Sequence, residues 1–170
     1  MNNVDLSRVP PFYHNYINNL AEPDLMKAFQ NHQVELLALL IDVPDEKWSY
    51  RYASGKWSIK EMVQHIIDAD RIFCYRALRF ARKDKTELPG FDEDSFAAAS
   101  AADRRTKENL LDELTTVQKS AALLFSSFNE EHLNQTGTAN GNEVYVEAIG
   151  FIIIGHTLHH KSILQQRYLS

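Results

Sequence analysis

Leu25, Phe29, His32, Leu36, Leu39 and Leu40 recur at three- and four-residue spacing, the period of a helix with one apolar face. They predict a first long helix over residues 23 to about 41, with Pro23 suited to its first turn. Met62, His65, Ala69, Ile72 and Phe73 form the stripe of a second helix over residues 58 to about 83. Its start is well marked, because Ser58 followed three residues later by Glu61 is a capping-box pattern. Leu110, Leu111, Leu114, Val117, Ala121, Leu124, Phe125 and Phe128 predict a third helix from about residue 100 to 128. A fourth, from residue 143 to about 169, carries the apolar run 149–164.

The segments between these stripes read as connections. In residues 1–22, Pro10-Pro11 enforces an extended approach, and Tyr13, Tyr16 and Ile17 pack one short turn on the body. Residues 43–57 hold both tryptophans, Trp48 and Trp57, read here as capping one end of the molecule. Residues 84–99 form a long connection, and residues 135–142 (QTGTANGN) a turn-rich loop. No strand-like alternation or internal repeat changes this pattern. Four long helices in one domain of 170 residues imply an all-α fold, a four-helix bundle. Connections of about fifteen residues exceed the usual 2–8 of a bundle, so at least one crosses over and leaves two sequential helices parallel.

Composition narrows the function. A net charge of −5, without a Lys/Arg-rich run, argues against nonspecific nucleic-acid binding. Cys74 is the single cysteine, so no intramolecular disulfide forms and a reducing compartment is expected. Residues 1–11 lack the basic and apolar regions of a signal peptide, and the run 149–154 is too short to span a membrane. A cytoplasmic location is expected.

The candidate chemistry is concentrated in Gly155-His156-Thr157-Leu158-His159-His160, which holds three of the seven histidines. On a helix His156 and His160 lie within about 40° of each other, one turn apart and facing the core, whereas His159 belongs to a neighbouring face. Two buried imidazoles on one face need partners, and either a divalent metal or core hydrogen bonds would serve. Thr157 occupies the position where a His-Glu-x-x-His protease has its glutamate. His65, in the stripe of the second helix, is the natural third partner. Glu61 and Asp68 flank it and are placed to orient an imidazole, and Glu61 is the only nearby candidate for a general base. Cys74 lies on the opposite side of that helix, which suggests a packed thiol rather than a ligand or nucleophile. Among Arg71, Arg76, Arg79 and Arg82, Arg79 comes nearest the His65 face and is the candidate for binding an anionic group. His32 falls at the core edge and receives no role.

These residues carry a resemblance. Gly55-Lys56-Trp57-Ser58-Ile59-Lys60-Glu61-x-x-x-His65 is similar to the opening of the second helix in the DinB-like superfamily, the YfiT/BstA-like metal-binding bundles. Leu88-Pro89-x-Phe91-Asp92 and His156-x-x-x-His160 match the same family in the same order. The resemblance implies a four-helix bundle with a crossover connection, often a homodimer, holding one divalent metal on His65, His156 and His160. Zn²⁺ is the first expectation; Ni²⁺, Co²⁺ or Fe²⁺ suits the same ligands. Relatives similar to mycothiol-dependent isomerases replace one of these histidines with glutamate, and this chain keeps all three. The implied activity is a metal-dependent S-transferase using a low-molecular-weight thiol of the bacillithiol type and an electrophilic substrate. The alternatives are a metal-dependent hydrolase and a non-catalytic, metal-stabilised binding module. Neither nucleic acid nor membrane is an expected partner.

Overall fold

A computed structural model describes residues 4–170, so the first three residues of the expected lead-in lie outside the described residues. In chain order the helices are α1 (His14–Asn18), α2 (Leu25–Ile41), α3 (Ile59–Ala81), α4 (Glu93–Ala99), α5 (Lys107–Ser126), α6 (Glu130–Leu133) and α7 (Val146–Ile163). Two strands, β1 (Thr136–Ala139) and β2 (Asn142–Tyr145), precede α7.

The caps explain where the helices begin. Asp24 accepts the Lys27 N–H at the start of α2. Ser58 and Glu61 form the expected reciprocal capping box on α3. The third long helix starts at Lys107 rather than near residue 100. Ala101 sits in the left-handed region at φ 54°, which breaks the helical path, and Thr106 then caps a new start by accepting the Asn109 N–H. Part of the expected connection is itself helical: Asp92 caps the short α4 by accepting from Ser95.

The expected loop over residues 135–142 is a β-hairpin. Thr136 pairs with Tyr145 and Ala139 with Asn142 in antiparallel register. Asn140 and Gly141, at φ 51° and 72°, make the turn, and Asn-Gly is the residue pair that two left-handed positions favour. Pairing of residues 142–145 delays the last helix to Val146. At its far end α7 loosens into a π-helical turn over Leu164–Tyr168, whose Tyr168 hydroxyl donates to the Trp57 carbonyl at 2.7 Å.

Contacts between named residues give the helix directions. Lys107 reaches the carbonyls of Ile41 and Val43, while Phe29 packs on Phe125, so α2 and α5 are antiparallel. Arg71 meets Glu113 and Arg82 lies over Phe128, so α3 and α5 run parallel. His65 meets His156 and His160 while Phe73 packs on His156, which sets α7 antiparallel to α3. The crossover therefore lies between α3 and α5, the two sequential long helices that run the same way.

The core divides into two clusters. One gathers Phe29, Phe80, Phe125 and Ile149–Ile154 around the hairpin end; the other gathers Leu36, Leu40, Trp48, Ile66 and Leu114 at the opposite end. Outside the histidine cluster, His32, Asp70, Gln118 and Thr157 are buried polar residues, one on each of the four long helices. Each has a polar side-chain atom without a hydrogen-bond partner in the protein. Burial holds the Asp70 carboxyl well above the usual carboxylate range. His32 is thus inside the core, 2% exposed, and not at its edge.

Candidate metal centre

His65 lies two turns into α3, behind the Ser58 cap, and His156 and His160 lie one turn apart on the antiparallel α7. The Nε2 atoms of His65 and His156 are 2.9 Å apart, and those of His160 and His156 are 3.0 Å apart. Each of the three offers one ligand atom, all within 4.8 Å of one another, and all three side chains are buried.

Hydrogen bonding alone does not satisfy this arrangement. A neutral imidazole nitrogen carries either one hydrogen or one lone pair, so His156 Nε2 cannot satisfy both neighbours at once. Protonation is no remedy, because burial lowers the pKa of His65 to about 4 and that of His160 to about 3, and holds that of His156 well below the ordinary imidazole value. For His156 the two neighbouring imidazoles add to the effect of burial. Glu93 and Asp94 partly oppose it at His65. Two nitrogens each bonded at 2.0–2.1 Å to one ion stand about 3.0–3.4 Å apart. Three neutral imidazoles, with His156 Nε2 2.9 and 3.0 Å from its two neighbours and all ligand atoms within 4.8 Å, suit a divalent ion, which would take one lone pair from each.

The three histidines line a cavity of about 450 Å³. Tyr13, Tyr16, Trp57, Phe73 and Phe91 wall it, and Arg76, Glu93, Asn140 and His159 add polar groups. Tyr16 is brought there by α1, which packs on α7 at Gly155: a β-carbon at this glycine would strike the Tyr16 carbonyl oxygen. The expected short turn at Tyr13, Tyr16 and Ile17 is therefore part of the site.

Several sequence readings are corrected here. Trp48 is buried in the core as a cap residue, but the Trp57 ring lies 4.7 Å from that of His65 and stacks 6.4 Å from that of His160. Glu61 does not orient an imidazole; Arg51 and the Ser58 N–H occupy its carboxylate. Asp68 accepts from Gln64 at 2.9 Å. Arg79 is paired with Asp84 and Tyr75, outside the cavity, and it is Arg76 that lines it. His159 stands beside the cluster with its ring 5.4 Å from that of Tyr16. Cys74 is absent from the lining, and burial pushes its thiol up to about 12. Glu93 escaped notice because it sits in the segment read as a connection. The Asp92-x-x-Ser95 cap was the signal available for a helix there.

The family model of the DinB superfamily matches residues 28–164, and the chain belongs to that superfamily. It is 29% identical over 73 residues to a protein of Oceanobacillus iheyensis that carries the provisional name of a metal-dependent hydrolase; that match covers 42% of either chain. Its fold is similar to that of YfiT from Bacillus subtilis, described as a probable metal-dependent hydrolase with an unusual four-helix bundle topology. The likeness has a TM-score of 0.70 and 13% identity, over 84% of this chain and 85% of the other. Among the described residues, no helix is long and apolar enough to cross a membrane.

Proposed function

We propose that the chain is a metal-dependent S-transferase that binds one divalent ion on His65, His156 and His160 and joins a small thiol to an electrophile. The observation that carries this reading is the pairing of three histidines with a cavity whose lining, among the described residues, holds no cysteine, serine or threonine. A divalent ion at the three Nε2 atoms would supply Lewis acidity that holds an incoming thiol as its thiolate at neutral pH. The chain does the rest. Tyr13, Tyr16, Trp57 and Phe73 provide apolar walls that bind the substrates and exclude water, and His159 and Glu93 stand at the cavity to exchange protons with the electrophile. Zn²⁺ is the ion of first choice.

Hydrolysis is the second reading, favoured by the position of Glu93. It lines the cavity near enough to His65 to raise that imidazole's pKa, where it could take a proton from an attacking water. A purely structural ion is the weaker reading, since the histidines face open space rather than a closed fourth ligand.

The test has two stages. Protein purified without a metal-affinity step should carry about one divalent ion per chain, and His156→Ala with His160→Ala should remove most of it, while His159→Ala retains it. Metal content surviving the double variant contradicts the ligand assignment. Co²⁺-substituted protein titrated with bacillithiol, mycothiol, glutathione, cysteine and coenzyme A should then show a sulfur-to-cobalt charge-transfer band. Conjugation of the active thiol to a bimane should exceed the metal-free rate by more than about tenfold, because only a few per cent of a free thiol is ionised at neutral pH. If no thiol produces the band or the acceleration, hydrolysis takes first place.

A further inference from the structure

The cavity beside the histidines extends along one face of α3. His65, Ala69, Phe73 and Arg76 all line it, and their spacing places them on one side of the helix. From His65 to Arg76 the helix advances three turns, about 16 Å. Arg76 is 6% exposed. Its Nη2 donates to the Pro89 carbonyl at 2.9 Å, its charge acts on the nearby Tyr13 hydroxyl, and its guanidinium carbon lies 5.8 Å from the centre of the Phe73 ring. No carboxylate of the described residues comes within 4 Å of it, although Arg71 and Arg79 on the same helix have Glu113 and Asp84. A guanidinium is always charged, and burying it without a counter-charge is unfavourable. Arg76 therefore stands at the cavity with an unbalanced charge and unused donors.

We propose that Arg76 binds a carboxylate at the end of the cavity away from the three histidines, so that the ligand is an elongated monoanion with its reacting atom at the histidine end. The planar fork of arginine matches a carboxylate through two parallel hydrogen bonds. One positive charge balances a carboxylate and would only half balance a phosphate dianion, and the exposed Glu93 in the same cavity adds a repulsion that grows with the charge of the anion. Among the described residues Glu93 forms no ion pair with Arg76; its charge acts on His65 and on Tyr13. The aromatic residues between the two ends, Tyr13, Phe73 and Phe91, suit an apolar or ring-bearing linker. A volume near 450 Å³ lies within the range of small-molecule sites. This assignment rests on the reading that substrate lies in the cavity beside the histidines.

Calorimetric titration of the metal-loaded protein with 6-mercaptohexanoate, 6-mercaptohexanol and hexanoate tests the proposal. The carboxylate-bearing thiol should bind at least about tenfold more tightly than the alcohol, as expected for a charge-assisted hydrogen-bond pair. Arg76→Met should abolish that gap, and Arg76→Lys, which keeps the charge without the fork, should shrink it severalfold. If Arg76→Met does not fold, Arg76→Lys alone decides. A gap of wild-type size in whichever variant folds, or no gap in the wild type, overturns the proposal, and so does the absence of saturable binding by any of the three. Hexanoate separates this result from the thiol reading. If it binds as tightly as 6-mercaptohexanoate and with the same dependence on Arg76, the carboxylate site stands and the thiol reading fails.

Discussion

His32 and the three clustered histidines share a side chain and a helical setting, and burial removes all four from the behaviour of imidazole in water. At His32 the Nδ1 meets the Phe29 carbonyl at 3.1 Å and the Nε2 has no partner, so burial lowers the pKa to about 4. A base whose folded pKa lies below its unfolded value of about 6.5 takes up protons more readily when unfolded. Its contribution to stability is intact above that value and is lost as pH falls towards 4. Relative to His32→Gln, the wild type should lose about 3 kcal/mol of unfolding free energy between pH 7 and pH 4, measured by urea denaturation. A difference that stays constant with pH contradicts this. Sequence spacing placed His32 close to its stripe but could not measure its depth. It likewise could not separate Trp57, on the histidine rings, from Trp48, in the core. Both are aromatic residues in one connector, and only the path of the chain between them tells them apart.

Among the elements, the four long helices were legible because each repeats apolar residues at the helical period over many turns. The hairpin was not, since four-residue strands offer too little alternation to outweigh a reading as loop. Its Asn140-Gly141 turn was the clearer signal. The contact between α1 and α7 depends on a single missing side chain, at Gly155. Gly155→Ala would set a β-carbon against the Tyr16 carbonyl oxygen, a backbone atom that cannot turn aside. We expect α1 to be displaced, stability to fall by about 1–3 kcal/mol as in other overpacked sites, and thiol affinity to weaken as the Tyr16 wall moves. Thermal unfolding and the cobalt titration measure the two effects, and an unchanged melting temperature would show that α1 does not depend on this close approach.

For the whole molecule, two apolar clusters hold the bundle together at either end of the histidine site. A chelator should therefore lower the melting temperature while leaving the far-ultraviolet dichroism largely helical; complete unfolding would make the ion structural. The low histidine pKa values also set the acid limit of the site. Protons compete for imidazoles whose pKa lies near 4 or below, so the ion should persist below the ~6.5 of free imidazole. Metal content followed from pH 8 to pH 3 should fall mainly below about pH 5, and loss near pH 6.5 would contradict this. The sequence by itself determined the helical class, the need for a crossover, and the His65, His156 and His160 trio. All of these follow from periodicity, connection length and motifs in register, which local spacing encodes. The tertiary structure alone decided which connection crosses, which arginine reaches the cavity and which acid stands beside the histidines. Those depend on the packing of segments far apart in the chain, where about 60° of rotation about a helix separates Arg79, tied to Asp84, from Arg76, buried at the cavity.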